Sequence, residues 1–143
     1  MEYIWKDYYS VGIEEIDTQH RMFFAIINRL EEIAQPGAKR EEVVRALTNL
    51  TSYANYHFAE EEKYFKIIRY KRASVHIAMH NRFKGTLNAF IERLEADDPS
   101  LPMGMAEFAR NWLHSHLMKE DRDFAVEYTK YRAGITQQVK VSR

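Results

Sequence analysis

Apolar side chains recur every three or four residues along most of the chain, which is the spacing of one face of an α-helix. Phe23 and Ile27, for example, are separated by one helical turn. All three prolines lie in residues 35–39 and 97–104, and the polar residues 69–74 interrupt the pattern between them. The sequence shows no strand-like alternation of apolar and polar residues. The pattern therefore predicts four helices joined by short connections.

The predicted helix boundaries follow from these interruptions and from residues that favour helix ends. Asp17 or Thr18 is expected to cap the first helix, whose pattern stops at Pro36. The other three helices are expected to begin near Lys39, at Val75 and after Pro102. Because helices with short connections pack side by side in alternating directions, we expect an all-α protein, an antiparallel up-down-up-down four-helix bundle with an N-terminal arm.

We expect a single domain over residues 1–143, because a chain of this length buries about two-thirds of its unfolded surface in one core. The N-terminal arm is rich in aromatic residues, and Trp5, Tyr8 and Tyr9 are predicted to cover one side or end of the bundle. The predicted parts are the arm at 1–17, the helical bundle at about 18–131 and a fraying tail at 132–143.

The composition excludes several classes of partner and site. Lys and Arg number 21 and Asp and Glu number 21, so no net charge favours nucleic acid or an anionic membrane. The absence of cysteine excludes disulfides and thiolate metal sites, and leaves His, Asp and Glu as metal ligands. The longest early apolar run, residues 22–27, is far shorter than the roughly 20 residues of a membrane span. We therefore expect a soluble, cytoplasmic protein. The exposed helix faces are mixed and charged, so we also expect a monomer.

Five of the six histidines fall on the predicted buried faces, together with one glutamate. Glu61 lies one turn after a histidine, so both are expected to point into the bundle. Its neighbours Glu60 and Glu62 are turned about 100° to either side and are expected to be solvated. His114 is turned away from the core and is predicted to lie at the surface. The inward histidines are His20, His57, His76, His80 and His116.

A single inward histidine is ordinarily a core residue held by hydrogen bonds. Five inward imidazoles and a carboxylate from four helices would leave many buried polar groups to satisfy, and a metal satisfies them together. Five nitrogens exceed the usual share of one metal, so two metals joined by carboxylates fit better. In a regular helix the second carboxylate would be Glu120, four residues after His116, rather than Asp121. A zinc-stabilised bundle is the alternative.

These residues stand in motifs that resemble those of bacterial hemerythrins, single-domain proteins with two non-haem iron ions that bind dioxygen reversibly. The resemblance covers about residues 5–128 and implies that the second bridge is Asp121, not Glu120. We hypothesise that a π-bulge between His116 and Asp121 brings the aspartate onto the ligand face. The motifs are VGIEEIDTQH ending in His20, HFAEE with His57 and Glu61, HIAMH with His76 and His80, and WLHSHLMKED with His116 and Asp121.

The chain departs from the family pattern around the loop between the second and third helices. Phe65 stands where many relatives have a methionine, eight residues after the histidine of the second helix. The common Gly-Tyr-Pro turn appears here as Arg69, Tyr70 and Lys71. These departures spare the expected ligands and bear on the shape of the loop.

The resemblance also implies a function. Glu61, Asp121 and a solvent-derived oxo or hydroxo group would bridge the irons. One iron would be completed by three histidines, while the other would keep an open position where dioxygen binds as hydroperoxide. We expect a non-enzymatic protein for oxygen transport or storage, which passes oxygen to an unidentified protein recipient; the alternative is a di-iron sensor or an enzyme that handles peroxide or nitric oxide. The first iron takes His76, His80 and His116, the second His20 and His57, and the oxygen pocket includes Phe58 and Leu113.

The face assignments predict opposite results for two histidine substitutions. We expect His57→Ala to lose iron, because it removes one of only two imidazoles at the open position. His114→Ala is expected to keep the iron content of the unsubstituted protein. Iron analysis of both variants after purification checks this, and equal iron loss would contradict the assignment of His114 to the surface.

Overall fold

The computed structural model describes residues 2–35 and 37–141 of the chain. In that part it contains long helices and no strand. A π-helical turn, Leu117–Asp121, joins α4 to α5, so these three segments form the fourth helix of the bundle. The helices are α1, Glu14–Ile33; α2, Arg40–Ile68; α3, Ala73–Glu95; α4, Leu101–His116; and α5, Arg122–Val141.

The helices form a closed ring around one interior. α1 packs against α2 and α4, and α3 packs against the same two helices. Because the connections are short, neighbouring helices run in alternating directions, and the predicted all-α four-helix bundle is confirmed. None of the described helices is both long and apolar enough to cross a membrane. The buried interior includes Phe23, Ile27, Leu30, Leu47, Leu50, Phe83, Leu87, Met105 and Ala109.

The first helix begins before the residues that were predicted to cap it. α1 begins at Glu14, so Asp17 lies within its first turn. The Asp17 carboxylate accepts hydrogen bonds from the Val11 amide, at 2.8 Å, and from the Ser10 hydroxyl. The capping prediction is therefore wrong: Asp17 holds the arm against the helix. Pro36, predicted to end this helix, lies outside the described residues, and α1 ends at Ile33.

The N-terminal arm packs against Phe24 of α1 through Tyr3, Trp5 and Tyr9. The Tyr3 ring stacks on Phe24, with 3.9 Å between centroids and 11° between planes. Asn28 fixes this contact through two hydrogen bonds. Its side-chain oxygen accepts a hydrogen bond from the Tyr3 amide at 2.7 Å, and its side-chain nitrogen donates one to the Tyr3 carbonyl at 3.0 Å. Tyr9 is buried as predicted, whereas Tyr8 is 55% exposed and does not cover the bundle. The arm therefore covers the bundle with a tyrosine that its apolar pattern did not single out.

Three predicted features of the later helices differ in the structure. α5 continues to Val141, so most of the predicted tail is helical, while residues 142–143 lie outside the described residues. The helical spacing of the apolar residues in this segment predicts that Val75 and Ile91 are buried, but they are 44% and 41% exposed. A wide apolar stripe on α3 therefore exceeds the face that its neighbours can cover.

Arg69 ends α2 in a conformation that favours glycine. Its φ of 52° lies in the left-handed region, and the Tyr70 amide donates a hydrogen bond to the Phe65 carbonyl at 2.9 Å. This is the hydrogen bond of a Schellman cap, in which glycine is the usual left-handed residue. The family's glycine at this position fits that geometry, whereas the arginine strains it.

We expect Arg69→Gly to raise the free energy of unfolding by roughly 0.5–1 kcal/mol. The left-handed conformation costs a non-glycine residue about 1–2 kcal/mol, which glycine avoids. The greater conformational freedom of glycine in the unfolded chain offsets part of this gain. Urea denaturation of the metal-free protein measures the change. Lys66→Gly, three residues earlier in the last turn of α2, is the control and should lower stability by up to about 1 kcal/mol, because Lys66 has helical backbone angles. A loss of stability in both variants would contradict the strain at Arg69.

Candidate metal centre

The seven side chains predicted to bind metal converge at one level of the bundle interior. α1 supplies one, α2 two, α3 two, and the fourth helix two. All are buried, with relative exposures from 0% to 5%. They are His20, His57, Glu61, His76, His80, His116 and Asp121. The structure therefore brings the predicted set together, although their role as ligands remains a prediction.

Glu61 stands between two groups of histidines. His76, His80 and His116 form one group with it, and His20 and His57 the other; within each, one ligand atom per residue lies within 4.8 Å of the others.

Each oxygen of Glu61 faces one of these groups. Oε1 lies 2.9 Å from His76 Nε2 and 3.4 Å from His80 Nε2. Oε2 lies 3.2 Å from His57 Nε2 and 3.5 Å from His20 Nε2. A carboxylate placed in this way can bridge two metal ions.

Asp121 has the same arrangement from the opposite helix. Its Oδ1 lies 3.0 Å from His76 Nε2 and 3.2 Å from His116 Nε2. Its Oδ2 lies 3.3 Å from His20 Nε2. The neighbouring Glu120 is also buried, but its Oε2 lies 3.5 Å from Arg72 Nη2. The structure therefore places Asp121 among the histidines, and the regular-helix preference for Glu120 was wrong.

The π-helical turn Leu117–Asp121 explains this difference. In a regular helix Asp121 would lie about 140° around the axis from His116, five residues at 100° each. In a π-turn the backbone hydrogen bond joins residues i and i+5, instead of i and i+4 as in an α-helix. Position i+5 therefore lies on the same face of the helix as position i. The hypothesis of a π-bulge is confirmed. Such turns occur frequently at functional sites because they re-aim one side chain within a continuous helix.

The buried polar atoms fit a pair of cations better than they fit one another. Nitrogen and oxygen ligands lie about 2.0–2.2 Å from a metal ion, so two ligands of one ion are separated by roughly 3 Å. The carboxylate oxygens and imidazole nitrogens here are 2.9–3.5 Å apart. His76 Nε2 and His116 Nε2 also approach to 2.8 Å. Several of these atoms are buried without hydrogen-bond geometry to any partner: His20 Nε2, His80 Nε2, and both carboxylate oxygens of Glu61 and of Asp121.

The same proximity controls protonation of the metal-free site. Burial disfavours a charged Glu61, but the surrounding imidazoles outweigh burial and hold its pKa well below the usual range. Burial likewise lowers the pKa of His20, but the carboxylates of Asp121 and Glu61 outweigh it and raise this pKa to about 9. The same balance raises the pKa of His76 to about 10. Protons therefore supply the positive charge that the buried carboxylates require, and metal binding releases them.

Two outer hydrogen bonds orient rings of the predicted ligands, and sequence reasoning missed both. Gln19 Oε1 lies 2.7 Å from His57 Nδ1. Glu62 Oε2 lies 3.0 Å from His80 Nδ1. Glu60 and Glu62, both predicted to be solvated, are only 25% and 24% exposed. Gln19 and Glu62 are each adjacent in sequence to an inward ligand, which places them at the edge of the ligand face. That adjacency was the available signal.

Aromatic rings pack against two of the imidazoles predicted to bind metal. Phe58 stacks on His80, with centroids 4.0 Å apart and 7° between the planes. Trp112 stacks on His116 at 4.3 Å and 15°. Leu113 is 2% exposed and Phe58 is fully buried, so both predicted pocket residues lie in the core; their role toward oxygen stays a prediction. His114 is exposed, as predicted.

Comparison with known proteins identifies the family. The sequence model described as hemerythrin HHE cation binding domain matches residues 11–127. The chain belongs to the hemerythrin family. The bacteriohemerythrin of Clostridium acetobutylicum is 30% identical over 126 residues, which cover 85% of this chain and 98% of that protein. The bacteriohemerythrin of Methylococcus capsulatus is 28% identical over 114 residues, or 80% and 86% of the two chains.

The fold of this hemerythrin agrees with a solved structure of the family. A wild-type hemerythrin crystal structure superposes with a TM-score of 0.80 at 25% identity, covering 87% of this chain and 96% of that one. The match and the histidine–carboxylate groups confirm the predicted cofactor, a pair of iron ions, and the predicted class, an oxygen-binding di-iron protein.

Alanine substitutions of Asp121 and Glu120 should show which of the two neighbouring carboxylates binds the metal ions. We expect Asp121→Ala to lose both metal ions, because two cations would then share only one carboxylate. Glu120→Ala should keep two ions per chain. Metal analysis of folded protein, checked by circular dichroism, measures the difference, and two retained ions in Asp121→Ala would contradict the bridging role.

The π-turn also predicts an unusual tolerance to deletion. Removing the exposed Lys119 would leave a regular turn with Asp121 four residues after His116, so the metal face and the later core residue Phe124 keep their orientations. We expect this variant to fold and to bind two ions. Deleting Thr86 from regular α3 rotates everything beyond it by about 100° and should abolish cooperative unfolding. Loss of metal from the Lys119 deletion would contradict this account of the turn.

Proposed function

We propose that this chain carries or stores oxygen by binding dioxygen reversibly at the metal position of His20 and His57. The observation that carries the proposal is the unequal division of ligands. Glu61 and Asp121 present an oxygen toward each position, but three imidazoles stand at one and two at the other. Two ferrous ions held there would supply the electrons for binding dioxygen and recover them on its release.

The protein residues would keep this exchange reversible. Glu61 and Asp121 would hold the two ions side by side, which would keep both available to one oxygen molecule. Phe58 and Leu113 carry no ionisable group and are buried, so they would exclude water and supply no proton. Five neutral imidazoles and only two carboxylates leave the centre with little negative charge, which disfavours the high oxidation states that cleavage of dioxygen requires.

The decisive experiment combines metal analysis with cycles of oxygen exposure. Protein purified under reducing, iron-replete conditions should contain two irons per chain. A visible absorption band should appear with oxygen and disappear when oxygen is removed under argon, over repeated cycles. A colourless zinc protein would overturn the proposal, and so would one-way oxidation with turnover of oxygen, peroxide or nitric oxide. The cytoplasmic location, the monomeric state and a protein recipient of oxygen stay predictions.

Leu113 provides a test of the dry pocket. Leu113→Ala should shorten the lifetime of the oxygenated form by about tenfold or more, because water reaches the site and promotes irreversible oxidation. The substitution also costs about 2–5 kcal/mol of stability, as at any buried leucine. Decay of the visible band in air measures the lifetime.

The matched control for this test is Leu30→Ala. Leu30 is 1% exposed and lies ten residues from His20 along α1, about 15 Å at 1.5 Å per residue. Its truncation should destabilise the protein to a similar extent and leave the lifetime unchanged. Equal lifetimes in the two variants would make Leu113 a core residue only.

A further inference from the structure

The two groups of histidines differ in the chemistry of their outer hydrogen bonds. His57, in the two-histidine group, meets the side-chain amide of Gln19 at 2.7 Å. His80, in the three-histidine group, meets the carboxylate of Glu62 at 3.0 Å. In both rings the contact is made by Nδ1, while Nε2 faces the carboxylate of Glu61. One group is therefore supported by a neutral acceptor and the other by an anion.

An outer acceptor changes the donor strength of the ring. A histidine that binds metal through one nitrogen donates its other N–H to the acceptor, which fixes the ring and makes the metal-binding nitrogen more basic. An anionic acceptor makes a stronger hydrogen bond than a neutral one. His80 should therefore bind a cation more tightly than His57, independently of the number of histidines in each group.

The surroundings of Gln19 explain why an amide stands there. Gln19 lines a surface cavity together with Glu14, Glu15 and Glu60. A carboxylate at this position would add a fourth negative charge to the cavity. The Tyr53 hydroxyl donates to the Gln19 carbonyl at 3.1 Å, so the backbone that carries this amide is also held. Gln19 can thus orient His57 without adding charge.

We propose that Glu62 and Gln19 are positioning residues that make the two metal positions unequal, so that they fill in a fixed order. The position of His76, His80 and His116, supported by Glu62, takes the first divalent ion. The position of His20 and His57, supported by Gln19, takes the second. This inference rests on the proposed function only in treating the seven side chains as ligands.

Zinc titration of the metal-free protein tests the order without redox chemistry. With one equivalent of Zn²⁺, NMR signals of the His76, His80 and His116 rings should shift, while those of His20 and His57 stay in place. The second equivalent should shift the remaining pair. Simultaneous shifts in both groups from the first addition would overturn the inference, whereas a protein that binds no metal would overturn the proposed function itself.

Substitutions separate charge from orientation. Glu62→Gln keeps an acceptor of the same shape without the charge and should weaken the first zinc affinity by about 10- to 100-fold. Gln19→Leu should weaken the second affinity and leave the first unchanged. Competition with a zinc chelator measures both affinities, and urea denaturation of the metal-free variants excludes a general loss of stability.

Glu60→Gln is the matched control for the charge of Glu62. The two glutamates are 25% and 24% exposed, but Glu60 pairs with Lys63 at 2.7 Å rather than with a ligand ring. Glu60→Gln should leave both zinc affinities unchanged. Equal weakening of the first zinc affinity in Glu60→Gln and Glu62→Gln would overturn the inference. A Glu62→Gln variant with full affinity, beside a Glu62→Ala variant with reduced affinity, would also overturn it, because Glu62 would then only orient the ring of His80.

Discussion

The burial of two carboxylates among five imidazoles is the constraint on which the rest of the structure depends. An uncompensated carboxylate in an apolar interior costs several kcal/mol, and Glu61 and Asp121 are both fully buried. The cost is acceptable only if positive charge lies between them and the histidines. The bundle therefore has to hold side chains from all four helices at one level, and the hydrophobic layers elsewhere in the core fix that level.

The sequence predicted the bundle because helical periodicity is a local signal. The spacing of Phe23, Ile27 and Leu30 is sufficient to place a buried face, and the short connections leave few ways to pack four such faces. It was less informative where tertiary contacts decide. Val75 has the right spacing but is 44% exposed, and Tyr3 is buried beside Tyr9 because its backbone pairs with the Asn28 side chain.

In the metal centre, too, the sequence predicted what depends on local spacing and missed what depends on tertiary contacts. Inward histidines could be identified one by one from their neighbours on regular helices. The second inward carboxylate could not, because a regular turn favours Glu120 and only the π-turn brings Asp121 among the histidines. The position of Asp121 agrees with the family resemblance and not with ideal helix geometry, and its role as a bridge stays a prediction. Glu62 was missed because its exposure depends on His80, a residue on another helix.

The distribution of the ligands along the chain has a consequence for folding. His20 lies on the first helix and Asp121 on the fourth, and ions bound between them would close the chain between residues 20 and 121 into loops. Cross-links that join distant residues reduce the entropy of the unfolded chain. Bound metal would therefore act on all four helices at once and suppress partial opening of any single helix. In this bundle, the reactive centre and the main long-range tether would be the same group of atoms.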